Sequence, residues 1–133
     1  MNTNQLFTSL TLILFILAGC SDNATVINHT TKKLPCLALE HTADKELYTL
    51  ILKQYNFDQQ CPYKLQIARK SNIVCNSHYN ADKKALSNFP SGFIRLDIYY
   101  DGAIIYSYYK DLDHRANSDD IDSAFNRLQH DLF

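Results

Sequence analysis

The apolar residues fall into three rhythms along the chain. An unbroken apolar run, Leu10–Leu17, comes first, and a polar stretch follows it. From Leu34 onward the hydrophobic period switches between two, the mark of a strand, and 3.6, the mark of a helix. Leu34 to Glu40 reads as a first strand buried on both faces, with Pro35 at its start, where proline is tolerated. Leu47, Leu50, Ile51 and Tyr55 recur at helical spacing. A helix over about 43–56 is expected, capped by Thr42, with Asp44 and Glu46 near its positive end. Pro62 disfavours helix at Cys61 and closes the segment.

Tyr63, Leu65 and Ile67 alternate with Lys64, Gln66 and Ala68, which predicts a half-buried strand. Arg69 to Asn72 is expected to turn the chain into a short return strand, Ile73-Val74-Cys75, and residues 81–86 to form one helical turn. Phe89 to Gly92 is expected to be a loop. Phe93 to Lys110 is a hairpin pattern turning at Asp101-Gly102. Two registers compete. A two-residue turn sets Leu96 opposite Ser107. A three-residue turn with Gly102 left-handed sets Ile98 opposite Ile104, Leu96 opposite Tyr106 and Ile94 opposite Tyr108. The second collects the apolar partners on one face, and register follows such patterns, so it is preferred. Ser118 is expected to cap a last helix, whose stripe is Ile121, Ala124, Phe125, Leu128 and Leu132.

These elements predict an α+β fold: a small, mainly antiparallel sheet of four to five strands with two helices packed on one face. The order strand, helix, strand makes the first two strands parallel neighbours. The 133 residues suffice for one small domain, expected at 34–133.

The apolar run ends in Leu17-Ala18-Gly19-Cys20. This resembles the lipobox of bacterial lipoproteins: Leu, a small residue, Gly or Ala, then Cys. The run is too short to span a bilayer, which needs ~20 residues, and suits the core of a secretory signal. The resemblance implies that residues 1–19 are a signal peptide, that Cys20 carries diacylglycerol and a further acyl chain such as palmitate, and that 20–33 is a flexible tether. It also implies the periplasmic side of the cell envelope. Ser21 rather than Asp follows the cysteine, which favours the outer over the inner membrane.

Charge narrows the partners. With 13 Lys+Arg against 14 Asp+Glu the chain is nearly neutral and has no basic stripe, so no nucleic-acid partner is expected. Besides Cys20, three cysteines remain: Cys36, Cys61 and Cys75. Outside the cytosol pairing is the rule. Parallel first and second strands bring Cys36 and Cys61 to one edge. A Cys36–Cys61 disulfide is therefore expected, with Cys75 left as a thiol.

Catalytic chemistry finds little support. No P-loop, Gly-x-Ser-x-Gly elbow or glycine-rich fingerprint is present, and no cofactor is expected. Asp111-Leu112-Asp113-His114 resembles the start of a calcium loop, but Arg115, Ala116 and Asp122 stand where such a loop needs an oxygen ligand, Gly and Glu. The five histidines include no His-x-x-x-His pair, and no metal site is expected. Tyrosine is abundant, nine residues, five of them in the hairpin. Aromatics suit half-buried strands; they also suit binding surfaces. With Tyr106 and Tyr108 inward, Tyr99 and Tyr109 are left for an outer patch. The expectation is a non-enzymatic, membrane-anchored lipoprotein whose domain binds a protein or glycolipid partner, for example as an outer-membrane assembly accessory. At the level of fold alone the element order is similar to the lipoprotein partner in lipopolysaccharide export. The alternative is a periplasmic enzyme with a site built from scattered His, Asp and Cys.

Overall fold

A computed structural model of the protein describes residues 24–73 and 91–133. Within them one sheet runs in the order β1-β5-β4-β3-β2. Its strands are β1 (Thr25–Asn28), β2 (Ala38–Leu39), β3 (Lys64–Lys70), β4 (Gly92–Tyr100) and β5 (Ala103–Leu112). Helix α1 (Lys45–Leu52) joins β2 to β3, and α2 (Ser118–Leu132) follows β5. The β2–β3 pair is parallel and every other pair is antiparallel. This is the α+β class read from the sequence.

Alternation builds the core. Leu65 and Ile67 of β3, Ile94, Leu96 and Ile98 of β4, and Tyr106 and Tyr108 of β5 are all buried and belong to one apolar cluster. Successive strand residues point to opposite faces, so these define an inner face. The stripe of α2, Ile121, Ala124, Phe125, Leu128 and Leu132, is fully buried in the same cluster. Leu47 and Ile51 of α1 complete it.

Caps differ from expectation by small steps. Asp44, not Thr42, caps α1 by accepting from the Leu47 N–H at 3.0 Å, while the Thr42 hydroxyl accepts from the Asp44 N–H. The charged acceptor wins the helix dipole, so α1 begins at Lys45. Asn117, not Ser118, caps α2 in a reciprocal capping box with Asp120. The strand expected over 34–40 shortens to β2 because its N-terminal half bonds elsewhere. The Leu34 N–H donates to the Leu132 carbonyl and the Leu37 carbonyl accepts from Asp58, which leaves Ala38–Leu39 for β3.

Three larger corrections concern β1, β3 and the hairpin. Thr25–Asn28, expected within a flexible tether, is an edge strand paired with β5 from Thr25↔Tyr109 to Asn28↔Tyr106. Its four residues are too few to show a period. Arg69, expected in a turn, continues β3, which pairs with β4 through Lys70↔Phe93. Gly92, expected in a loop, starts β4: a Cβ there would meet the Lys70 carbonyl oxygen at 2.6 Å and that of His114 at 2.9 Å. The return strand beyond Ile73, Cys75, the helical turn over 81–86 and the lipobox with Cys20 lie outside the described residues.

The hairpin follows neither proposed register throughout. Tyr100 faces Ala103, so the turn has two residues, with Asp101 and Gly102 at φ 49° and 76°. Positive φ at both positions matches the hand of the strand twist. The register then shifts between Ile98 and Tyr99, and Ile98 faces Tyr106 rather than Ile104. The residue left over is Ile105, a bulge on β5. Ile94, Leu96, Ile98, Tyr106 and Tyr108 nonetheless face inward as expected, but Ile104, expected opposite Ile98 on the inner face, precedes the bulge and stands exposed beside Tyr99 on the outer one.

Cys36 and Cys61 lie at disulfide distance, with Cα atoms 5.9 Å apart and 25 residues between them in sequence. The pairing expected from parallel first and second strands is compatible with this geometry. Replacing both cysteines by alanine should lower unfolding stability by about 3 kcal/mol, the loop-closure entropy of such a ring. Denaturant unfolding of the variant beside the wild type checks it.

Candidate functional site

Both helices pack on the inner face, so the other face is the candidate binding surface. Among the described residues no helix covers it. Its side chains follow from register. Thr25 and Ile27 come from β1, Ser107 and Tyr109 from β5, Phe93, Arg95, Asp97 and Tyr99 from β4, and Gln66 and Ala68 from β3.

A polar node sits at its centre. Asp97 is only 7% exposed. It accepts from the Ser107 hydroxyl at 2.6 Å and pairs with the Arg95 Nε at 2.6 Å. Both carboxylate oxygens of this buried side chain are thereby engaged. At one end of the face Phe93 and Tyr109 stack, ring centroids 5.5 Å apart. The Tyr109 hydroxyl donates to Asp111 at 2.8 Å, which pushes its pKa up. At the other end Tyr99, half-buried, faces Ile104. Ile27 and Ile104 are exposed, at 50% and 37%.

Tyr99 and Tyr109 therefore share a face, as expected. Tyr109 faces Arg95, four residues from Tyr99 along β4, so the two tyrosines stand about 13 Å apart with the Asp97 node between them. Phe93, Ile27 and Ile104 are the surface residues the sequence reading missed. The period of two extended back from Ile94 would have found Phe93. Ile27 needed β1, and Ile104 needed the bulge.

A second feature is a cleft of about 420 Å³ lined by Glu46, Leu50, Arg69, Arg115, Ala116, Asn117 and Ser118. The Arg69 side chain is 5% exposed and makes four hydrogen bonds. Its Nε and Nη2 bond both oxygens of Asp44, at 2.7 and 3.1 Å, its Nη1 donates to the Ala116 carbonyl at 3.0 Å, and Nη2 also bonds Glu46. The guanidinium holds the Asp44 carboxyl below its usual range. This cation is a staple between β3, α1 and the approach to α2. These bonds use four of the five guanidinium N–H donors, which leaves little to offer a bound anion.

Among the described residues no group of three His, Cys, Asp or Glu side chains could hold a metal ion. His114 instead lies between two carboxylates, Nδ1 2.6 Å from Asp113 and Nε2 2.9 Å from Asp120. No helix among the described residues is long and apolar enough to cross a membrane. Comparison with protein-family models, with curated proteins and with solved structures finds no match.

Hydrogen bonds to Asp113 and then to Asp120 raise the His114 pKa. A raised folded value favours the imidazolium in the native state. Its stabilisation is full below the ordinary value of about 6.5 and is lost as pH rises through the folded value. Denaturant midpoints should therefore fall from pH 6 to pH 8 more in the wild type than in His114→Gln. Parallel midpoints in the two proteins would exclude the linkage.

Proposed function

We propose that the protein is a bacterial lipoprotein held in the outer membrane by acyl chains on Cys20. Its domain binds a protein or glycolipid partner on the periplasmic side and carries out no catalysis. The anchor rests on Leu17-Ala18-Gly19-Cys20 after an apolar run. Two or three acyl chains, each buried CH₂ contributing ~0.8 kcal/mol, hold a protein durably where one chain does not. The binding role rests on one observation: a sheet face free of helices among the described residues, carrying Tyr99, Tyr109, Phe93, Ile27 and Ile104 around a satisfied polar node. Rigid aromatic area at low side-chain entropy is what interfaces favour. In this reading the protein serves as an accessory in outer-membrane assembly.

Cys20→Ala should leave either an uncleaved precursor or a chain released to the soluble periplasmic fraction. Cell fractionation with mass analysis reads both, and normal processing with normal retention would exclude the anchor. For the face, the double variant Tyr99→Ser, Tyr109→Ser should lose at least tenfold in the amount of partner captured from detergent-extracted outer membranes, a loss of about 1.4 kcal/mol or more in binding. Equal capture by folded variant and wild type would move the binding surface elsewhere.

A further inference from the structure

We propose that the domain is seated directly on its membrane by a short leash. The sheet end around Thr25, Phe93 and Tyr109 lies against the lipid headgroups, and the β4–β5 turn points away. This rests on the lipid anchor at Cys20 proposed above and adds how the domain is held.

The carrying observation is where the sheet begins. Thr25 is already paired with Tyr109. From Cys20 to Thr25 is five residues, and five residues span at most about 18 Å whatever path they take. The tether expected at 20–33 would have reached about 50 Å. A domain of this length is roughly 30–35 Å across. The leash is thus shorter than the domain, and Thr25 cannot turn to the far side. The strand is joined to the body by more than its ladder, since the His29 N–H also donates to the Ile105 carbonyl at 2.9 Å.

The chemistry of that end suits a headgroup layer. Phe93 and Tyr109 stack there, and tyrosine favours the level where a ring is apolar and a hydroxyl is wet. Exposed Lys70 faces Phe93 in register, and Arg95, 44% exposed, faces Tyr109. Cations at the surface of an anionic leaflet are attracted to it. Three acids are close by: Asp97 is engaged by Arg95, exposed Asp111 accepts from Tyr109, and exposed Asp113 pairs with His114. The Asp101-Gly102 turn lies about 23 Å farther along β5.

The chain contains no tryptophan, so one introduced indole reports alone. Full-length Phe93→Trp and Tyr100→Trp chains, processed in cells, are reconstituted in vesicles of zwitterionic and anionic phospholipid that include a lipid spin-labelled at its headgroup. Quenching of Phe93→Trp should exceed that of Tyr100→Trp severalfold. Inserting about twelve Gly/Ser residues after Asn23 should at least halve the difference, because such a linker relaxes the leash. Circular dichroism checks each fold, and Tyr109→Trp replaces Phe93→Trp if the latter is disturbed. Mass analysis of Cys20 separates the two ideas. A chain without acyl groups there overturns the anchor and the seating together. An acylated chain whose two indoles are quenched equally, or whose difference survives the insertion, overturns the seating alone.

Discussion

One extra residue in β5, Ile105, decides what each face of the sheet carries. The two-residue turn at Asp101-Gly102, continued without a bulge, would set Ile98 opposite Ile105 and Leu96 opposite Ser107. Opposed residues share a face, so Tyr106 and Tyr108 would face outward and Ser107 would enter the core without a partner for its hydroxyl. With Ile105 set aside, Ile98 faces Tyr106 and Leu96 faces Tyr108. Both tyrosines are then fully buried. The Tyr106 hydroxyl reaches Asp131 of α2 at 3.1 Å. Burial, helped by that negative charge, pushes its pKa up. The same shift places Ser107 beside Asp97 on the outer face. The outer polar node and the inner apolar face are thus two consequences of one bulge.

The sequence carried the long periods well and the short or mixed ones poorly. The α2 stripe and the inward set of β3, β4 and β5 were legible because each repeats over several turns or pleats. The faces of Ile94, Leu96, Ile98, Tyr106 and Tyr108 were also legible, although the turn length and the outward place of Ile104 were not. A three-residue turn and a two-residue turn plus a bulge both bring Tyr106 and Tyr108 inward and differ at Ile104 and Ile105, two isoleucines that hydrophobic pattern alone cannot tell apart. The β1 strand was hidden because Thr25–Asn28 is short, only half apolar and mostly exposed. An edge strand with one buried neighbour has little need of a pattern. Parallel β2 and β3 were legible from the element order alone.

Arg69 shows a different kind of silence. A basic residue before Lys70-Ser71-Asn72 reads as the start of a turn. Its place in β3 depends on acceptors far off in the chain: Asp44, 25 residues earlier, and the Ala116 carbonyl, 47 residues later. Period two from Leu65 and Ile67 did point to position 69, but a cation on the inner face argues against itself unless its partners are known. Asp44 resolves the conflict by doing two things at once. It caps α1 through the Leu47 N–H and neutralises the guanidinium. The helix dipole and the buried cation both favour the same ionised carboxylate, so the start of α1 is positioned by a charge on β3.

The strand that the sequence hid is also what links the proposed anchor to the proposed face. β1 contributes Thr25 and Ile27 to the open face, and Thr25 stands only five residues after Cys20. A binding surface at the end of a long tether would sample a wide volume, and its partner could lie anywhere in it. A surface whose edge strand begins five residues after the proposed anchor would sample little beyond the leaflet. In the proposed arrangement anchor and face would not be separate modules, and the partners within reach would be those that present themselves at the membrane surface.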